Sequence, residues 1–97
     1  MKVVWSPLAL DKLVATAKFI AFDKPSAAEQ WVNDVFDRAD ILGHQPELGR
    51  EVPELLGSNY REIIFGRYRI IYKIENEIKI LTLRNSRQLL SLDNIEL

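Results

Sequence analysis

Cysteine is absent from this chain, and histidine occurs once, at His44. The first absence excludes disulfides and thiol catalysis; with a single histidine as well, a zinc site is not expected, nor is any other cofactor. No apolar run approaches the ~18 residues that a membrane span requires, and the first residues carry no signal-peptide pattern. A cytoplasmic chain without a membrane partner is therefore expected. Low-complexity segments are missing too, and 97 residues suit one domain spanning 1–97. A strong excess of one charge is also lacking, with 13 basic and 14 acidic side chains. The distribution is uneven: residues 1–49 hold five basic and seven acidic, whereas 50–87 hold eight basic and five acidic. The second stretch is thus positive by 8 − 5 = 3. That suits an acidic protein or a nucleic acid, although dedicated nucleic-acid binders show a stronger basic excess.

What is present centres on Tyr60 to Tyr72. Aromatic and β-branched residues flank Gly66-Arg67, which suits a two-residue type II′ hairpin turn because glycine accepts positive φ. Pairing Phe65 with Tyr68 sets Ile64 against Arg69, Ile63 against Ile70, Glu62 against Ile71 and Arg61 against Tyr72. Alternation then yields a core face of Ile63, Phe65, Tyr68, Ile70, Tyr72 and Ile74. The opposite face carries Tyr60, Glu62, Ile64, Arg69, Ile71 and Lys73, and should meet solvent or a partner.

Earlier in the chain, Val3-Val4-Trp5 reads as a short strand. Ser6-Pro7 starts a helix with serine as N-cap and proline at its first position. From Leu8 to Phe22 apolar residues recur at three- and four-residue spacing, giving one buried stripe of Ala9, Leu10, Leu13, Val14, Ala17, Ile20 and Ala21. Pro25 ends that helix. Ser26 and Glu29 form a capping box for a second helix reaching about Leu42, with Gly43 as C-cap. Its apolar face is Ala28, Trp31, Val32, Val35, Ala39 and Leu42. The short turn between the helices implies an antiparallel hairpin. A connection with an edge segment at Arg50–Val52 leads to the central hairpin. A polar turn, Glu75-Asn76-Glu77, precedes a last strand, Ile78–Leu83, with Ile78, Ile80 and Thr82 on the core face and Lys79, Leu81 and Leu83 on the other. Asn85 and Arg87 should emerge beside Arg69. The mixed tail from Gln88 has leucines that dock on the body or on a partner. The fold class is α+β: an N-terminal strand, a helix hairpin, then an antiparallel sheet of three to four strands with one open face.

Trp5-Ser6-Pro7-Leu8-Ala9, Pro46-Glu47-Leu48-Gly49-Arg50, Tyr60-Arg61-Glu62, Tyr68-Arg69-Ile70-Ile71-Tyr72 and Arg84-Asn85-Ser86-Arg87 occur in this order. Together they resemble toxins of the RelE/ParE superfamily over residues 3–90. The resemblance implies the toxin of a bacterial toxin–antitoxin pair, bound by an antitoxin segment that wraps its surface. RelE-like members enter the ribosomal A site and cut mRNA; ParE-like members poison DNA gyrase. The toxin–antitoxin complex would bind operator DNA through the antitoxin.

Cleavage of RNA by its 2′-hydroxyl needs a proton acceptor, cations for the charged transition state and an acid for the leaving oxygen. Arg69 occupies the family's arginine position, with Arg61 and Arg87 nearby, and these three would serve a nuclease. Glu62 and Ile64, however, stand where phosphate-binding cations are expected. No tyrosine or histidine follows Leu83, and guanidinium groups titrate too high to shuttle protons near neutral pH. A non-catalytic, ParE-like gyrase inhibitor is therefore the expected activity. The alternatives are a ribosome-dependent mRNA endonuclease and a relative that only binds its antitoxin and represses their promoter. The expected partner-binding residues are Arg61, Arg69, Arg84 and Arg87, with exposed apolar Ile64, Ile71, Leu81 and Leu83 meeting the antitoxin. Each has a plainer role to set beside it. Arg69 could bridge Glu62 across the hairpin at the surface, worth ~0–1 kcal/mol. Tyr60, Tyr68 and Tyr72 suit packing, Trp5 and Trp31 suit core anchoring, Arg50 suits loop fixing, and His44 a surface or capping position.

Overall fold

A computed structural model describes residues 1–95. Strand β1 (Val3–Trp5) leads into helix α1 (Pro7–Asp23), and α2 (Pro25–Asp40) follows. Ser6 caps α1 as its sequence implies: its hydroxyl accepts from the Ala9 N–H at 3.0 Å. α2 starts differently. Pro25 takes the first helical position, so extended Lys24 is the N-cap and Ser26 lies inside the helix without a capping bond. The helix continues into a 3-10 turn over Ile41–Gly43. Gly43 does not adopt the positive φ of a helix-terminating glycine. Its role is spatial, since an added Cβ would lie 2.6 Å from the Met1 carbonyl oxygen.

Strands β2 (Arg50–Glu51), β3 (Tyr60–Phe65), β4 (Tyr68–Ile74) and β5 (Ile78–Asn85) complete one sheet in the order β1-β5-β4-β3-β2. β1 runs parallel to β5, and the other neighbours are antiparallel. The β3–β4 register is the one expected from the turn, from Phe65 opposite Tyr68 to Arg61 opposite Tyr72. Gly66 supplies the positive φ, +57°, that the turn requires.

The β4–β5 register departs from simple alternation. Ile71 pairs with Thr82 but Tyr72 pairs with Ile80, which makes Leu81 an extra residue in a bulge. Its carbonyl accepts a 2.9 Å bond from the Ser6 hydroxyl. Beyond the bulge the two faces exchange. Leu83 enters the core opposite Ile70, Thr82 turns to the other face, and Arg84 rather than Asn85 lies opposite Arg69.

Both helices pack on one sheet face. The core there joins Ala9 and Leu13 of α1 and Val35 and Ala39 of α2 to Ile63, Ile70, Tyr72, Ile78, Ile80 and Leu83. Trp5 meets Phe36 edge-on at 4.9 Å, and Trp31 meets Tyr68 at 5.4 Å, so both tryptophans anchor this layer. Among the described residues the opposite face carries no α-helix over its strands, yet it is not bare. A 3-10 turn (Pro53–Leu55) and the C-terminal tail lie across it, and Val52, Ile71, Leu90 and Ile95 form a second buried cluster. Ile71 and its neighbours give that face too much apolar area to leave wet, and the tail's own apolar residues cover it.

Candidate functional site

The second cluster is fastened by charge. Arg69, only 5% exposed, donates from Nε to Glu62 at 2.7 Å and from Nη1 and Nη2 to the two oxygens of Glu54, each at 2.7 Å. Nη1 also reaches the Gln88 carbonyl at 3.1 Å. The second oxygen of Glu62 accepts from Arg50 Nε at 2.8 Å. Glu54 in turn accepts from the Leu90 N–H at 2.9 Å. Two guanidinium and two carboxylate groups thus form one network in which the charges balance, with Arg69 and Glu62 buried, Glu54 partly so and Arg50 at its exposed rim. The Arg69 guanidinium, by hydrogen bonding, holds Glu54 far below its ordinary 4.5, at about 2, against the opposing effect of burial. Glu54 likewise raises the pKa of Arg69.

Most of the other sequence-predicted site residues are also engaged by the protein itself. Arg61 Nη1 donates to the Gly49 carbonyl at 2.7 Å, and Arg84 Nε donates to the Leu89 carbonyl at 2.8 Å. Arg69, Glu54 and Arg84 therefore strap three successive tail residues, Gln88, Leu89 and Leu90, onto the sheet. Ile71 and Leu83 are buried rather than exposed, the first under the tail and the second because of the bulge. Leu81 is half-buried against the same cluster, so of the four apolar residues only Ile64 presents an exposed side chain. Arg87 is exposed. The expected surface bridge between Arg69 and Glu62 is real but buried.

The tyrosines have packing roles. The Tyr72 hydroxyl donates to the Pro46 carbonyl at 2.6 Å and accepts from the Gly49 N–H at 2.9 Å, and burial raises its pKa. Tyr60 lies under the Lys73 ammonium at 5.8 Å, and Tyr68 meets Trp31. Among the described residues no histidine, cysteine, aspartate and glutamate group is arranged to hold a metal ion. His44 is exposed just after the 3-10 turn.

A different surface offers apolar area. Leu10 and Val14, expected in the buried stripe of α1, are 40% and 48% exposed. They border a groove of about 550 Å³ between α1 and α2, lined also by Leu13, Ala17, Val32 and Phe36, with Lys18 and Glu29 at its margin. Phe19 and Phe22 stand out from α1 as well, the latter 91% exposed. The signal was available in sequence. Leu8, Leu10, Val14, Phe19 and Phe22 spread apolar character around most of the helix, more than one packed stripe can bury.

No curated protein matches this sequence. Among solved structures, the chain is similar to one described as "Chromosomal ParDE TA system from P. aeruginosa", with a TM-score of 0.74 and 19% identity. The similarity covers 88% of this chain and 95% of that one, and at such identity it is a likeness of fold. The family model for the ParE toxin of the type II toxin–antitoxin system parDE matches residues 3–90. That span takes in β1, the helix hairpin, the remaining strands and the strapped start of the tail, so the chain belongs to the ParE toxin family and is the toxin of a type II toxin–antitoxin system.

Proposed function

We propose that this ParE toxin inhibits DNA gyrase by binding it, without cutting RNA, and that a cognate antitoxin neutralises it. The carrying observation is the state of Arg69. Its charge is matched by Glu54 and Glu62, and its donors are directed at those carboxylates and at the Gln88 carbonyl. A phosphate approaching it would meet two carboxylates already in place. Glu54, near pKa 2, is too weak a base to take a proton from a ribose hydroxyl. The three tyrosines are occupied by Pro46, Trp31 and Lys73. Binding asks for none of the proton transfers that cleavage requires.

For the antitoxin, the α1–α2 groove is the better seat than the β-face first expected. Its lining along the two helices is apolar, with one cation and one anion, Lys18 and Glu29, among it. An amphipathic helix that lays an i, i+3, i+4, i+7 stripe into it fits that form. Ile64 and half-buried Leu81 remain contacts for a flanking extended segment. Operator DNA would be recognised by the toxin–antitoxin complex through the antitoxin.

Purified protein should inhibit gyrase supercoiling, and added antitoxin should restore it. In translation reactions with programmed ribosomes the mRNA should stay intact. Site-specific mRNA cuts with supercoiling untouched would replace this function with the nuclease alternative.

A further inference from the structure

At the end of the sheet remote from Glu75, the β3–β4 turn and the residues just past β5 enclose a polar cleft of about 230 Å³, lined by Gly66, Arg67, Asn85, Ser86 and Arg87. Among the described residues no carboxylate lines it. The two turns are tied together by the Ser86 N–H, which donates to the Arg67 carbonyl at 2.7 Å. Asn85 Oδ1 accepts from the Arg87 N–H at 3.0 Å, which leaves its amide NH₂ as an available donor. The Ser86 hydroxyl is a second neutral donor.

The guanidinium groups here differ from the rest. Arg50, Arg61, Arg69 and Arg84 each donate to a carboxylate or carbonyl of the chain. Among the described residues Arg38, Arg67 and Arg87 have no such side-chain acceptor. Arg38 lies in the last turn of α2, where the helix dipole favours a cation. Arg67 and Arg87 have no comparable stabilisation, and both line one cleft with only neutral donors between them. Two like charges brought together repel unless an anion sits with them.

The geometry points to a phosphate-binding site for the phosphodiester backbone of a nucleic acid at this turn, with Arg67 and Arg87 neutralising phosphates and Ser86 and Asn85 donating hydrogen bonds. Arginine's planar fork of donors suits phosphate oxygens. Contacts to phosphate oxygens position a nucleic acid without reading its bases, so the phosphate contact itself is independent of sequence. This goes beyond the gyrase proposal and does not depend on it, because the test contains no gyrase.

The whole protein is titrated into a fluorescein-labelled 20-base-pair duplex DNA at low salt and followed by fluorescence anisotropy. Binding is expected, with log affinity falling against log salt at a slope of about −1.8, the value for two neutralised phosphates. The variant Arg67→Gln/Arg87→Gln should bind at least about tenfold more weakly with an unchanged melting temperature, and Arg38→Gln should bind like the parent. Absence of duplex binding at low salt overturns the proposal. So does a double variant that binds like the parent. Inorganic phosphate that stabilises the protein while duplex DNA does not bind would mark a small-anion site only, and would overturn it as well.

Discussion

Arg69 shows how far one side chain's role depends on what surrounds it. On a bare sheet face it would be a cation for phosphate; under the tail it is the hub of a balanced network with Glu54, Glu62 and Arg50. Removing it leaves Glu62 fully buried with Arg50 as its sole cation, and frees Glu54 from the partner that sets its charge. Arg69→Ala is expected to cost about 3–5 kcal/mol of folding stability, as for other broken buried pairs. Urea unfolding measures it, and a loss below ~1 kcal/mol would show the network to be slack. Gly49 has a comparable structural duty. A Cβ there would lie 2.5 Å from the Glu62 carbonyl oxygen and 2.7 Å from the Tyr72 ring, so the Pro46–Arg50 loop can approach the sheet only with glycine at that point.

At the scale of elements, the C-terminal tail behaves as a strap. Leu90 and Ile95 are buried in the second cluster, whereas Leu89 and Leu92 point away, 79% and 51% exposed. The polar attachment depends on ionised Glu54, which holds Arg69 and the Leu90 N–H together. The Glu54 pKa is depressed in the folded protein from 4.5 to about 2. Its contribution is therefore complete above about pH 4.5 and lost as pH falls through 2. The Leu90 amide resonance in an NMR titration should hold steady between neutral pH and about pH 4.5, then shift as the carboxylate protonates towards pH 2. A midpoint near 4.5 would mean that Glu54 is not paired in solution. The strap was only half legible beforehand. The tail's leucines suggested docking, but the acceptor of the Leu90 N–H is Glu54, in a 3-10 turn more than thirty residues earlier, and the donor to the Gln88 carbonyl is Arg69 on β4; no local pattern announces partners that distant.

Across the whole molecule, the surfaces we propose for partners are the α1–α2 groove and the Arg67–Arg87 end of the sheet. Val14 borders the groove and is half-exposed, so Val14→Asp should cost only about 1 kcal/mol of stability and leave the protein folded. The same change places a charge in an apolar seat and should weaken antitoxin binding at least about tenfold, read by calorimetry. Equal affinity would remove the groove from the interface. What the sequence determined alone was the Ser6 cap, the Gly66 turn with the β3–β4 register and the helix hairpin, each fixed by residues a few positions apart, and the family likeness, carried by the order of short motifs along residues 3–90. Only the tertiary structure decided which face was open. One extra residue at Leu81 reverses the alternation of β5, and the returning tail buries Ile71 and Arg69. Alternation records which side a residue leaves the strand, but what covers that side is set by segments far away in the chain.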